Sequence, residues 1–256
     1  MALIIEQFPC RTDNYGVLIH DSEAKLTASI DAPDEKPIRA KLAEKNWRLD
    51  RILTTHHHSD HVEANLPLKA AYGCTIIGPA GEADKIPGID ETAKGGDRLT
   101  FGAFEVRVIG TPGHTLGHIC YWLPLANVAF VADTLFAMGC GRVFEGTPEM
   151  MWASLDKLRA LPGETRIHCG HEYTEANARF ALTIEPDNAD LVARAEEVKR
   201  LRAAGQPTLP TTIGLELRTN PFLRENEPGI RARLGLAHAA PPQVFAEIRR
   251  RKDNFR

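Results

Sequence analysis

The polar run Thr55-His56-His57-His58-Ser59-Asp60-His61 constrains the fold of this 256-residue chain more than any other feature. It follows directly on Arg51–Thr55, a short apolar run that predicts a buried strand. Side chains at every second position of an extended segment share one side, so His56, His58 and Asp60 are predicted to point together. With His61, the run offers four potential ligands within six residues. That exceeds what one tetrahedral zinc ion takes from a single loop, and it indicates a metal site at a strand end.

Three further potential ligands follow apolar runs in the same way. His114 lies in Gly110-Thr111-Pro112-Gly113-His114-Thr115, Asp133 directly follows the apolar run Val128–Ala132, and His171 lies in Cys169-Gly170-His171-Glu172. Each is expected where a loop leaves a strand, and the small residues around them let the backbone approach closely. Taken singly, such residues are more often satisfied polar groups than ligands. Taken together, they would complete two metal sites for zinc, iron or manganese, the ions that imidazole and carboxylate suit.

The predicted secondary structure of the chain changes near residue 173. Before it, short apolar runs between loops predict strands, among them Ile119–Leu123, Val128–Ala132 and Arg166–Cys169. Helices are predicted near His61–Tyr72 and from Pro148. After Thr174 the pattern is helical, with helices predicted at Glu175–Leu182 and Ala189–Ala204 and a last one beginning at Pro241-Pro242. We therefore expect an α/β metal-binding domain over residues 1–173 and a helical substrate-binding domain over residues 174–256.

Composition narrows the function classes. The net charge of −3 provides no whole-chain basic excess for a nucleic-acid partner. No apolar run approaches the ~20 residues that span a bilayer, and the start Met1–Glu6 lacks the basic and apolar regions of a signal peptide. Five cysteines without a CxxC pair indicate reduced thiols. We expect a cytoplasmic monomer that contacts neither nucleic acid nor membrane.

The ordered set of seven potential ligands resembles the signature of the metallo-β-lactamase superfamily. That resemblance implies an αββα sandwich with two divalent metal ions at one edge of its facing sheets; zinc is expected, and iron and manganese are the alternatives. It implies that the first metal is held by His56, His58 and His114, the second by Asp60, His61 and His171, and that Asp133 bridges the two. The pair would generate hydroxide at neutral pH and receive an oxyanion. The chain departs from many members at Val62-Glu63-Ala64, where a Gly-Gly pair is common.

Further blocks resemble the hydroxyacylglutathione hydrolases, the glyoxalase II enzymes. They are Gly139–Gly146, Cys169–Thr174, Leu217–Arg224 and Arg249–Phe255. The resemblance implies hydrolysis of S-D-lactoylglutathione, or related 2-hydroxyacyl thioesters, to the hydroxy acid and glutathione, the second step of methylglyoxal detoxification. It implies that the glutathione moiety contacts Arg142, Phe144, Tyr173, Arg249 and Lys252. Phe144 stands where relatives often have tyrosine, so the hydroxyl contact of that tyrosine would be missing, and Arg142 stands where they often have lysine.

Other functions share the metal signature. A β-lactamase is usually exported, an RNA-processing phosphodiesterase needs a basic arm, and redox relatives carry glutamate at the position of His58. A mononuclear iron persulfide dioxygenase is the closest rival, and a glutathione-conjugate or metal-binding module without turnover is the non-enzymatic alternative. Outside the seven ligands, Asp31 is a candidate for orienting one of them, and His57 is predicted to point away from the metals.

Overall fold

The structure is a computed structural model that describes residues 2–255. Met1 and Arg256, the outer ends of the two predicted domains, lie outside this range. Backbone contacts divide the chain into two compact units. Unit 1 consists of the residues up to Gly110 together with Thr115–Val131, and unit 2 of Thr111–His114 together with the residues from Ala132 onward. The domain boundary predicted after residue 173 stays a prediction.

Unit 1 is built on two sheets. In spatial order, the first consists of β1 (Leu3–Cys10), β2 (Asn14–Asp21), β3 (Leu26–Ile30), β4 (Arg51–Leu53), β5 (Thr75–Pro79) and β6 (Glu91–Ala93). Its first three strands are antiparallel and the rest add in parallel. The part of the second sheet that belongs to unit 1 comprises β7 (Arg98–Phe101), β8 (Phe104–Gly110), β9 (Ile119–Leu123) and β10 (Val128–Ala132), all antiparallel.

The core of unit 1 lies between these sheets. Alternate residues of a strand share one face, so Val17 and Ile19 of β2 join the same buried cluster as Val106 and Val108 of β8. Tyr121 of β9 completes this layer and donates its hydroxyl proton to the carbonyl oxygen of Thr54 (2.7 Å). The inter-sheet core thus reaches the strand end where the histidine motif begins.

Helices cover the opposite face of the first sheet. They are α1 (Glu35–Lys45), α2 (Ser59–Val62) and α3 (Asn65–Tyr72). Unit 1 also contains 3₁₀ turns at Ala80–Lys85 and Pro124–Ala126. Leu18 and Ile52 pack in one buried cluster with Ile38 and Leu68 of the helices. The single helix expected over 61–72 is interrupted, because Ala32 bonds to both sides of the break: its N–H donates to His61 and its carbonyl accepts from Ala64.

Unit 2 is mostly helical. Its elements are β11 (Leu135–Phe136), β12 (Gly139–Cys140), α4 (Pro148–Arg159), β13 (Arg166–Cys169), α5 (Thr174–Ile184), α6 (Ala189–Ala203), β14 (Thr211–Thr212), α7 (Ile213–Thr219), a 3₁₀ turn (Pro221–Leu223), α8 (Pro228–Leu234) and α9 (Pro241–Asp253). The Thr147 side chain caps α4 by accepting from the Met150 N–H, and Pro148 sits in its first turn, as its sequence predicts.

A buried polar cluster fixes the β11–β12 hairpin of unit 2. The Asn220 amide donates to the carbonyl oxygens of Phe136 (3.1 Å) and Gly139 (2.9 Å). The Glu216 carboxylate accepts the N–H of Met138 (2.7 Å) and the hydroxyl of Thr211 (2.6 Å). The hairpin is therefore held from α7 and its C-terminal cap. No helix within residues 2–255 is both long and apolar enough to cross a bilayer.

Candidate metal centre

Unit 1 supplies one cluster of potential ligands, at the carboxyl end of β4. His56 is fully buried, and its Nδ1 lies 3.0 Å from the Thr55 hydroxyl. His61 is equally inaccessible, and its Nδ1 lies 2.8 Å from Asp31 Oδ2. Thr55 donates to the same carboxylate (2.8 Å), so its hydroxyl oxygen is the acceptor for His56. Both imidazoles thus bond through Nδ1, which leaves Nε2 as the ligand atom.

The remaining unit 1 ligands lie beside these two rings. His58 Nδ1 lies 3.2 Å from His56 Nε2, and Asp60 Oδ2 lies 3.5 Å from His61 Nε2. The Asn14 amide donates to Asp60 Oδ2 (3.0 Å) and to its carbonyl oxygen (3.2 Å). His56 and His58 thus converge as their spacing predicts, whereas Asp60 and His61 lie beside them from α2, where the backbone is helical rather than extended.

Unit 2 supplies the second cluster. Asp133 Oδ2 lies 3.3 Å from His114 Nε2 and 3.4 Å from His171 Nε2, and all three side chains are buried. The backbone carbonyl of Arg142 accepts from His114 Nδ1 (2.8 Å), which again leaves Nε2 as the ligand atom. The three downstream residues converge, as their positions after apolar runs predict.

The donor sets fit metal ions. Ligand atoms ~2.0–2.1 Å from one tetrahedral zinc ion lie ~3.4 Å apart. Adjacent donor atoms within each cluster are separated by 3.2–3.5 Å. Imidazole nitrogens and carboxylate oxygens at this spacing match zinc, iron and manganese equally.

Unusual backbone geometry accompanies the ligands. Ala132, which precedes Asp133, has φ +38°, and Asp31 has φ +56°, although neither is glycine. The Gly170 N–H donates to the Ala132 carbonyl (3.2 Å), which ties the approach to His171 to the end of β10. Gly113 has φ +150°, and a Cβ there would meet the backbone of Met151, so only glycine fits before His114. Such strain persists where the surroundings enforce it, and it clusters at functional sites.

Two residues predicted to contact glutathione lie beside ligands of unit 2. The Tyr173 ring stacks on His171, with centroids 4.7 Å apart and planes 3° apart. The Phe144 ring lies edge-on to His114, with centroids 5.3 Å apart, and is 62% exposed. Both rings are therefore adjacent to the cluster and can meet a bound molecule.

The predicted cationic residues differ in their surroundings. Arg142 is exposed. Arg249 is buried; it donates to the Cys140 carbonyl (2.9 Å) and pairs with Asp253 (2.8 Å). Lys252 donates to the Ala176 carbonyl (3.1 Å). Burial, reinforced by Arg249, Arg179 and Arg142, lowers the pKa of Lys252 to about 8.

Three histidines outside the predicted ligand set, His57, His20 and His168, make other contacts or lie buried. His57 turns toward Glu82 (2.7 Å), as strand parity predicts. His20 stacks on Trp47. Burial lowers the pKa of His168 to about 3, so this ring is neutral at pH 7. All five cysteines are buried thiols outside any disulfide, and burial raises the pKa of the Cys140 thiol to about 11.

Sequence reasoning missed several polar residues that support the ligands. They are Asn14 beside Asp60, Thr55 beside His56, and Glu82 beside His57. Asp31, the candidate that the sequence did single out, does bond a ligand, His61. No local pattern marks Asn14 or Glu82, because each meets its partner only after the strands have assembled, whereas Thr55 directly precedes His56 in the motif.

Two family models together match nearly the whole chain. "Metallo-beta-lactamase superfamily" matches residues 28–171, and "Hydroxyacylglutathione hydrolase C-terminus" matches residues 172–255. Proteins named hydroxyacylglutathione hydrolase from Brucella ovis and Brucella melitensis are each 64% identical over 253 residues, which is 99% of this chain and 98% of the relative.

Solved structures share the fold. ETHE1 from Myxococcus xanthus matches with a TM-score of 0.67 and 25% identity, over 99% of this chain and all of that one. TTHA1623 "in a di-iron-bound form" matches with a TM-score of 0.62 and 27% identity, over 86% of this chain and all of that one. The predicted metallo-β-lactamase fold with a helical C-terminal region is thereby confirmed.

The sequence blocks, the two ligand clusters and the full-length similarity agree. The predicted family and the prediction of an enzyme are both confirmed: the chain belongs to the hydroxyacylglutathione hydrolase family of the metallo-β-lactamase superfamily.

Proposed function

We propose that this enzyme hydrolyses 2-hydroxyacyl thioesters of glutathione, S-D-lactoylglutathione above all, to glutathione and the hydroxy acid. One observation carries the proposal: a single oxygen of Asp133 lies within 3.4 Å of ring nitrogens of both His114 and His171. A carboxylate in this position can serve two metal ions at once. Family membership over the full length of the chain supports the glutathione thioester as substrate.

The proposed metal assignment divides the ligands as the family resemblance implies. The first metal ion would be held by His56, His58 and His114, the second by Asp60, His61 and His171, and Asp133 would serve both. Zinc is the proposed metal, and the relative solved in a di-iron form makes iron the main alternative, beside manganese. Two bound divalent cations lower the pKa of water and stabilise negative charge on a carbonyl oxygen.

The protein's own groups prepare the site for this chemistry. Asp31, Thr55 and the Arg142 carbonyl bond the Nδ1 atoms of three ligands and fix their rings. Fixed ligands need no reorganisation during the reaction, which favours charge development in the transition state. The leaving thiolate has a conjugate-acid pKa of ~8.5 and departs without a strong acid. A buried thiol such as Cys140, with its pKa near 11, is not required as nucleophile.

The glutathione moiety is proposed to contact Arg142, Phe144, Tyr173, Arg249 and Lys252. Glutathione carries two carboxylates and an ammonium group, so a pocket that binds it needs fixed cationic side chains and aromatic side chains. Because Arg249 also holds the Cys140 carbonyl, its position is set before substrate arrives. We further propose a cytoplasmic monomer without nucleic-acid or membrane partners, in keeping with the charge balance.

Steady-state hydrolysis of S-D-lactoylglutathione, followed at the thioester absorbance, tests the proposal. We expect saturable turnover that chelation abolishes and added divalent metal restores. Oxygen uptake with glutathione persulfide, in the absence of thioester turnover, would instead identify a dioxygenase. Metal binding without turnover of either substrate would identify a binding module.

A further inference from the structure

A buried glutamate outside the ligand set lies against the histidine motif. Glu82 follows β5 in the 3₁₀ turn Ala80–Lys85 and is only 1% exposed. A charged side chain is rarely buried this completely unless it is paired and hydrogen-bonded. Its surroundings therefore indicate what it holds in place.

The Glu82 carboxylate uses both of its oxygens on two separate segments of unit 1. Oε2 accepts the backbone N–H of His57 (2.9 Å) and lies 2.7 Å from His57 Nδ1. Oε1 accepts the backbone N–H of Gly117 (2.8 Å). One side chain thus connects the middle of the histidine motif to the segment that leads into β9.

Both segments are shaped to admit this carboxylate. A Cβ at Gly117 would lie 2.5 Å from Glu82 Cγ, so the approach needs glycine at that position. The Ile119 N–H donates to the Thr55 carbonyl (3.0 Å), and the His118 ring stacks on His56 with centroids 4.9 Å apart. The backbone of the motif is therefore fixed on both sides of His56.

We propose that Glu82 is a positioning residue for the metal ions. By fixing the peptide of His57, which joins two ligands, it aims His56 and His58 at one ion. Groups that orient ligands typically contribute 10- to 100-fold in metal affinity. The inference rests on the proposed metal site, to which Glu82 contributes no ligand atom.

Zinc affinity of the metal-stripped full-length chain tests this role. We would titrate wild type, Glu82→Gln and Asp84→Asn with Zn²⁺ against a chromophoric chelator, at a temperature where each is folded. Glu82→Gln keeps the side-chain size but offers one acceptor oxygen in place of two, and we expect its affinity to fall ~10-fold or more. Asp84 is exposed in the same turn, so its variant should bind like wild type.

Gly117→Ala provides an independent second variant, because its new methyl group displaces Glu82 without altering the carboxylate. A comparable loss of zinc affinity is expected. If both variants melt at lower temperature without metal yet bind zinc as tightly as wild type, Glu82 supports only folding and the inference is wrong. A wild-type chain that binds no zinc, iron or manganese would instead contradict the proposed metal site itself.

Discussion

At the scale of single residues, the two clusters of potential ligands share one arrangement. A neighbouring oxygen forms a hydrogen bond with Nδ1 of an imidazole, which leaves Nε2 available for a metal ion. Asp31 does this for His61, Thr55 for His56 and the Arg142 carbonyl for His114. Asp60 and His61 lie in helix α2, but the convergence of His56 and His58 could be predicted, because alternate residues of an extended segment point together. Glu82 could not, because its partners His57 and Gly117 are far away in sequence and carry no distinguishing pattern.

Asp133 is the residue whose loss should be most damaging. Asp133→Ala removes the oxygen between His114 and His171, and we expect kcat to fall by at least ~10²-fold, comparable to losing one oxyanion donor. Steady-state kinetics with metal analysis of the same sample measures this. Near-normal kcat with two metals still bound would contradict a bridging role.

Lys252 should act through binding of the substrate. If it holds a glutathione carboxylate, Lys252→Ala raises KM for S-D-lactoylglutathione about five-fold at low salt, with kcat nearly unchanged. The difference in KM between the variant and wild type should shrink as ionic strength rises, because salt screens the wild-type contact. Because the pKa of Lys252 is lowered to about 8, wild-type KM should rise between pH 7 and 9 as the ammonium loses its proton.

Two comparisons isolate the Lys252 charge. The alanine variant should lack this pH-dependent rise, and a small thioester without carboxylates should barely respond to the substitution. Equal losses on both substrates would mean that Lys252 supports the fold through Ala176 and the rings of Phe180 and Phe255.

At the scale of elements, apolar strands of four or five residues coincide with their predicted ranges, as β9, β10 and β13 do. The two-residue strands β11, β12 and β14 were not predicted, because such short pairings are defined by tertiary contacts rather than by periodicity. The helix expected over 61–72 was wrong as a single element. Its interruption depends on Ala32, which lies in another part of the sequence.

The β11–β12 hairpin should depend on Asn220, which donates to Phe136 and Gly139 and accepts from the Phe222 N–H. Asn220→Ala leaves buried carbonyl groups without this donor, and each such loss costs ~1–3 kcal/mol. We expect the free energy of unfolding, measured in urea, to fall by about 2 kcal/mol or more. The exposed Asn254 also bonds a carbonyl, and Asn254→Ala should stay within ~0.5 kcal/mol of wild type. Equal losses of stability in both variants would contradict the role of Asn220 in fixing the β11–β12 hairpin.

At the scale of the whole molecule, the proposed chemistry would need residues from distant parts of the chain. Unit 1 carries His56, His58, Asp60 and His61, and unit 2 carries His114, Asp133 and His171. The sequence predicted this set because each ligand follows a strand and because the order resembles a known signature. It did not predict how contacts divide the chain, since residues 111–114 group with unit 2 and residues 115–131 with unit 1.

We propose that two metal ions, held by these seven residues, make the enzyme a thioester hydrolase. The most direct measurement is a titration of the metal-stripped full-length chain with Zn²⁺, in which bound metal and S-D-lactoylglutathione hydrolysis are followed together. We expect negligible hydrolysis in the metal-free chain, and a rate of hydrolysis that stops rising at two bound ions per chain. Full activity in the metal-free chain, or a plateau at a single bound ion, would contradict the proposal.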